Sequence, residues 1–303
     1  MTILLVLGVT DHDWLAHLRA GAPWPEVNFW SPAPRSFRAL RPGELFLFKA
    51  KAPVNRVVGG GVFAHAADMP SSLAWEAFGE ANGAASLQEM RARIARYRKD
   101  GARGDFPIGA RVLVEPTFWP EELWFAPPAS FGRQIVSFKG YDTGDPEGLA
   151  LWEAAAERMA ACAADPAEAT ARFGTPRLMR PRLGQGAFRT LITNLYDRRC
   201  AVTGERTLPA LDAAHIRPFA AGGAHAASNG LLLRRDIHSL FDAGYVTVTP
   251  TGRFEVSGCI REDYSNGRQY YALQGQSLRM PADRTALPDP AALRWHNEET
   301  FLA

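Results

Sequence analysis

The sequence predicts an α+β protein in three parts: an N-terminal mixed β-barrel with inserted helices (1–145), a helical linker (146–180) and a C-terminal strand, loop and helix domain (181–303). Three observations predict it. The first 145 residues alternate short apolar or aromatic runs with Gly and Pro turns, as strands do. Residues 146–173 switch to helical periodicity, broken only at Asp165-Pro166. Beyond Pro181 a histidine ends a short apolar segment, an asparagine follows a Gly-rich loop, and a histidine and an aspartate stand four apart in a helix-like run.

Taken in order, ILLVLGV (3–9) is continuously apolar and predicts a strand buried on both faces. Pro42-Gly43 is a turn, ELFLFKAKAP a strand, and VNRVVGGGVFAHA another strand across a Gly-rich bend. SSLAWEAFGEANG predicts a helix capped by Ser71 or Ser72 and closed at Gly79 or Gly83. SLQEMRARIARYRKDG sets Met90, Ile94 and Tyr97 on one face and basic residues on the other. RVLVEPTFWP and RQIVSFKGYD supply further strands. In PEGLALWEAAAERMAACAADPAEATARF, Leu149, Trp152, Ala156 and Met159 share a helical face. GTPRLMRPRLGQG, with Pro176, Pro181, Gly184 and Gly186, stops regular structure, and AFRTLITNLYDRRC opens the last domain as a helix. VTVTPTGRFEVSG reads as a hairpin turning at Pro250 to Gly252, and the tail from Met280 packs as cover.

Composition sets the class. Hydrophobic content of 47% and charged content of 22% over 303 residues fit a globular chain with room for two domains. No apolar run approaches the roughly 18 residues of a membrane span. The N-terminal run has no basic flank or small-residue cleavage site, so it reads as a first strand rather than a signal peptide, and a cytoplasmic location is expected. Cys162, Cys200 and Cys259 are odd in number and far apart, which argues against a disulfide framework. The net charge of +2 does not announce nucleic acid, but eight arginines against two acids between Arg172 and Arg206 form a run able to contact phosphates.

Phosphodiester hydrolysis needs a base for water, a cation for the charge growing on phosphate and leaving oxygen, and a group that holds the base. His238 and Asp242, four apart on a helix, lie on one face and can reach a single cation. His215, at the end of an apolar strand, is aimed rigidly enough to be the base. Asn229, in the loop between them, can accept from the ring nitrogen that does no chemistry and fix the tautomer. Arg217, Arg234 and Arg235 lie near these groups in sequence and can grip the scissile phosphate.

This order, with Pro218 after the first histidine, NGLLL at the asparagine and HSLFD at the second, resembles the HNH endonuclease family and its ββα-metal fold. The resemblance implies His215 as general base, Asn229 as its orienting partner, and His238 with Asp242 as metal ligands. Many members carry a ligand immediately before the base, where this chain has Ala214. Asp212 has the same strand parity and is a candidate third ligand. Members also often carry CxxC pairs for a structural zinc, but Thr203 stands where a partner of Cys200 would fall, so no structural zinc is expected. In the N-terminal half PGELFLFK, then VVGGGVFA, then a helix resembles the PUA-like superfamily of SRA, EVE and ASCH domains. That resemblance implies a domain holding a nucleobase, in several members a modified base flipped from the duplex. Trp30 and Asn28, in a Pro-bounded loop, are the residues chosen for stacking and for reading the base edge.

The resulting expectation is a modification-dependent DNA endonuclease of restriction type. It uses one divalent ion, Mg²⁺ or Mn²⁺ first and Ni²⁺ or Zn²⁺ as compatible alternatives, and acts on double-stranded DNA as a homodimer. The alternatives are a modified-DNA-binding protein whose nuclease fold no longer cuts, and an RNA-directed nuclease.

Overall fold

The computed structural model describes residues 2–34, 36–99 and 104–303; residues 100–103, the end of the segment SLQEMRARIARYRKDG and the residues after it, lie outside them. The chain divides into two compact units, Met1–Ala187 and Phe188–Ala303.

In the first unit, β1 (Leu4–Thr10), β2 (Glu26–Asn28), β3 (Leu45–Ala50), β4 (Val57–Pro70), β5 (Pro107–Phe118) and β6 (Phe138–Asp142) form one sheet in the order β2-β5-β4-β3-β1-β6. Only β1 and β3 run parallel; the other neighbours are antiparallel. The apolar run of β1 is explained by its place inside the sheet, where Leu5, Val6 and Leu7 are fully buried. From Val57 on, the segment VNRVVGGGVFAHA forms one strand, as expected, and the Gly59–Gly61 run does not end it. It lies within β4, where the ladder to β5 shifts register between Gly60 and Val62. A Cβ on Gly59 would stand 2.3 Å from the Thr117 carbonyl oxygen, so the neighbouring strand, not a bend, requires glycine.

Helices α1 (His12–Gly21), α2 (Ser71–Phe78) and α3 (Leu87–Ala95) are inserted between strands. Asp11 caps α1, its Oδ1 accepting from the amides of Asp13 and Trp14. Met90 and Ile94 are buried as expected, whereas Tyr97 lies beyond the end of α3 and is largely exposed. Two further helices, α4 (Pro146–Cys162) and α5 (Pro166–Phe173), correct the expectation of a helical linker. They belong to the first unit, with Leu151, Trp152, Ala155, Ala156 and Met159 buried, Trp152 donating to the Phe173 carbonyl at 2.8 Å, and α4 packed on β1 and β6. The buried face therefore includes Leu151, while Leu149 is 37% exposed. Gly186 does not stop structure either; it lies within α6 (Gln185–Leu195). The buried Glu26 carboxylate accepts from the amides of Gly184, Gly186 and Ala187, filling the donors left open at a helix start.

The second unit is built on the antiparallel pair β7 (Leu211–His215) and β8 (Gly230–Arg234), followed without an intervening loop by α7 (Arg235–Asp242). A hairpin of β9 (Val246–Val248) and β10 (Phe254–Val256), then α8 (Cys259–Tyr264), α9 (Arg268–Tyr271) and α10 (Pro290–Glu299), complete it. Phe188, Ile192, Leu231, Leu233, Ile237 and Phe241 form its core. The tail is more than cover: His296 on α10 is buried, with Nε2 donating to the Phe241 carbonyl (3.0 Å) and Nδ1 accepting from the Thr247 hydroxyl (2.8 Å). Burial holds that imidazole down at about 4, so it is neutral and both contacts are satisfied. Among the described residues no helix is long and apolar enough to cross a membrane.

Candidate active site

His215 ends β7, paired in register with Gly230. A Cβ at Gly230 would stand 2.4 Å from Ile192 Cδ1, so glycine lets this end of the β pair press onto α6. The Phe188 ring lies stacked on the His215 imidazole, centroids 4.0 Å apart. His215 Nε2 lies 2.9 Å from Nδ1 of His225, a residue of the Gly-rich loop. Burial, reinforced by the neighbouring imidazoles of His225 and His238, pushes the His215 imidazole down to about 4, so it stands neutral near pH 7 and able to take a proton.

Asn229 is buried, as an orienting residue should be, but it does not touch the His215 ring. Its Oδ1 accepts from the Arg217 amide, and its Nδ2 donates to the carbonyls of Arg217 and Ala224, each at 2.9 Å. The sequence reading of a direct bond to the base is corrected: Asn229 is spent on the backbone of the loop that carries His225.

On α7, His238 Nε2 lies 3.3 Å from Asp242 Oδ2, and its Nδ1 lies 3.8 Å from Asp212 Oδ2. The imidazole is thus flanked by carboxylates on opposite sides. Two ligands on one Mg²⁺-like cation stand about 3 Å apart, so His238 Nε2 and Asp242 fit as a pair. Asp212 faces the other ring nitrogen, so as the side chains stand it is not paired with them as the expected third ligand; its position is that of a carboxylate behind a metal-binding histidine. Among the described residues no group of three or more His, Cys, Asp or Glu side chains is gathered as a metal site. Burial works against the charged form of His238, but Asp212 and Asp242 outweigh it and raise its pKa. The His238 contact lowers the Asp212 carboxyl in turn, with burial opposing and Arg189 assisting. The Asp242 carboxyl moves up, because burial and the charge of Asp212 exceed the help from His238.

The arginines divide. Arg235 Nε lies 3.9 Å from Asp212 and its side chain is 54% exposed, so it stands at the site. Arg234 does not: it makes a two-pronged pair with Asp236 at 2.6 and 2.7 Å. Arg217 is held by the Ala221 carbonyl and lies over the Trp295 ring, so its guanidinium is committed to the loop. Arg189, one of the eight arginines of the basic run, comes 3.7 Å from Asp212. Elsewhere in the basic run Arg172 and Arg182 pair with Glu115 and Glu168.

The first unit contains a cavity of about 750 Å³ lined by Trp30, Tyr97, Phe138, Asp11, Lys51 and Arg111, among others. Trp30 is one of the lining residues, its Nε1 donating to the Asn82 carbonyl and its ring 6.2 Å from that of Tyr97. Asn28 does not. It is fully buried on β2, with Nδ2 donating to Asn82 Oδ1 at 2.9 Å, so it holds the loop instead of reading a ligand. The polar corner is Asp11, which accepts from the Tyr97 hydroxyl, while Lys51 Nζ donates to Tyr97 at 2.6 Å and lies 3.8 Å from Asp11. Burial alone would raise the Asp11 carboxyl, but the Tyr97 and backbone hydrogen bonds and the Lys51 charge bring it below its ordinary value.

Residues 200–249, which contain His215, His225, Asn229, His238 and Asp242, match the HNH endonuclease family. No curated protein matches the chain. Among solved structures, ASCH from Zymomonas mobilis is 12% identical with a TM-score of 0.34, over 48% of this chain and 94% of that one. The modification-dependent restriction endonuclease TagI is 14% identical with a TM-score of 0.29, over 92% of this chain and 76% of that one. The HNH match supports nuclease chemistry in the second unit. Sequence reasoning placed Arg189 only within the basic run and missed His225, Tyr97 and Asp11 as site residues; the signal for His225 was a lone histidine in the glycine loop between two motif residues.

Proposed function

We propose that the chain is a modification-dependent DNA endonuclease in which the second unit cleaves and the cavity of the first holds a modified base. The observation that carries the cleavage reading is the His215 imidazole held at the end of β7 between the Phe188 ring and His225, within the segment that matches HNH endonucleases. His215 takes a proton from water through Nδ1, which has no hydrogen-bond partner among the described residues, since Nε2 is engaged with His225. The oxygen so released attacks phosphorus as the bond to the 3′ oxygen breaks. His238 Nε2 and Asp242 would hold a divalent ion, Mg²⁺ or Mn²⁺ first, which when bound neutralises charge on the phosphate and leaving oxygen. Asp212 orients His238 from its other nitrogen, and Arg235 with Arg189 lends positive charge beside the site.

The reading of a base is supported by the aromatic and charged lining of the cavity, which offers a ring face and hydrogen-bonding partners, the two things an extruded base needs. Cutting both strands takes two sites or two events, and a dimer of the chain on one duplex supplies the two sites. The test is His215→Ala: cleavage of DNA should vanish while DNA binding and the melting curve persist. Undiminished cleavage by that variant would remove His215 as the base and leave a nuclease that cleaves by other groups.

A further inference from the structure

His225 stands outside the trio of residues that the HNH order picks out, yet among the described residues it is the one side chain hydrogen-bonded to the ring of His215, at 2.9 Å. Two neutral imidazoles at that distance share one hydrogen, and it can belong to either ring. If His225 were the donor, the proton of His215 would sit on Nδ1 and no lone pair would face water. If His215 is the donor, Nδ1 is bare. From this we infer that His225 is a positioning residue of the cleavage reaction: its Nδ1 accepts the Nε2 proton of His215 and so leaves His215 Nδ1 as the basic atom. The inference rests on the reading of His215 as base.

The surroundings hold His225 to that task. The Phe219 ring stacks on it, centroids 5.3 Å apart and 14° between planes, and Phe188, which lies under His215, also reaches it at 5.6 Å. The carbonyl of Ala224, next to His225, is fixed by Asn229 Nδ2 at 2.9 Å. Asn229 therefore acts on the base at one remove, through the loop and His225. Burial moves the His225 imidazole down, which keeps it neutral and able to accept. When His215 takes a proton from water, a water O–H bond breaks and an Nδ1–H bond forms. The Nε2–H stays in place, and the imidazolium keeps its acceptor in His225.

Two readouts on the full chain test this. Nitrogen-15 correlation spectra of the imidazoles near pH 7.5, assigned with His215→Ala and His225→Phe, should show His215 protonated on Nε2 with a bare Nδ1, and His225 with a bare Nδ1. A proton on His215 Nδ1 would overturn the inference whatever the kinetics. On DNA that the wild type cuts, His225→Phe keeps the ring against Phe219 but removes the acceptor; kcat should fall by roughly tenfold or more with KM little changed. His225→Asn, whose amide oxygen can stand near the place of Nδ1, should recover most of the loss. Full turnover by a folded His225→Phe alongside an inactive His215→Ala would discard His225 and leave the base intact. Cleavage by His215→Ala would instead remove the base reading and the inference with it.

Discussion

The proposed cleavage turns on the state of His215. Its burial under Phe188 and its contact with His225 keep it neutral, so the loss on removing it is that of a general base, roughly 10²–10⁴ in kcat. Steady-state cleavage by a folded His215→Ala variant checks this, with near wild-type rates as the contrary result. Asp242→Ala removes one of the two atoms that fit a cation, and the Mn²⁺ concentration for half-maximal binding should rise at least about tenfold, more than for Asp212→Asn. Calorimetric titration ranks the two, and equal losses would return Asp212 to the ligand set. At this scale His215, His238 and Asp242 were legible because a strand end and a four-residue helical step fix where side chains go. The partners of Asn229 and Asn28 were not: Asn229 bonds the loop backbone at Arg217 and Ala224, Asn28 bonds the side chain of Asn82, and no periodicity encodes which groups the fold brings to an amide.

At the scale of elements, β7, β8 and α7 form the scaffold of the site, and α10 closes it from behind. His296 holds the carbonyl of Phe241, the residue before Asp242, and its ring stacks on Phe241 at 3.7 Å. His65 in β4, His215 and His296 are each held down at about 4 by burial. An unfolded histidine titrates near 6.5, so the unfolded chain binds more protons than the folded one below that pH. The stability these groups contribute is complete above about pH 6.5 and lost as pH falls toward 4. Melting followed by circular dichroism should drop by roughly 3 °C or more between pH 7.5 and 5; an unchanged midpoint would contradict the neutral buried histidines. Strands and helices with a plain period were legible from sequence. The placing of Leu151 inside and Leu149 outside was not, because the face of α4 is set by the two strands it meets, β1 and β6. The run Gly59–Gly61 misled for the same kind of reason: glycine marks close approach as well as a bend, and only the neighbouring strand tells which.

For the whole molecule, two units with separate cores fit a division between recognition and chemistry. The mixed sheet and the strand, loop and helix domain were both legible, while the boundary was not, because α4 and α5 carry a buried face that a free linker would lack. If Trp30 stacks on the base, Trp30→Ala in the full chain should reduce the preference for modified over unmodified duplexes by roughly tenfold or more, stacking being worth about 1–3 kcal/mol. Competition binding measures it, and an unchanged preference would take Trp30 out of the reader. The most direct measurement is digestion of matched plasmids, unmodified or carrying each common cytosine modification, with Mg²⁺ or Mn²⁺, by the wild type and by His215→Ala. The expected result is cleavage of at least one modified plasmid, sparing of the unmodified one, and no products from the variant. Equal cutting of all plasmids, or products from His215→Ala equal to those of the wild type, would contradict the account.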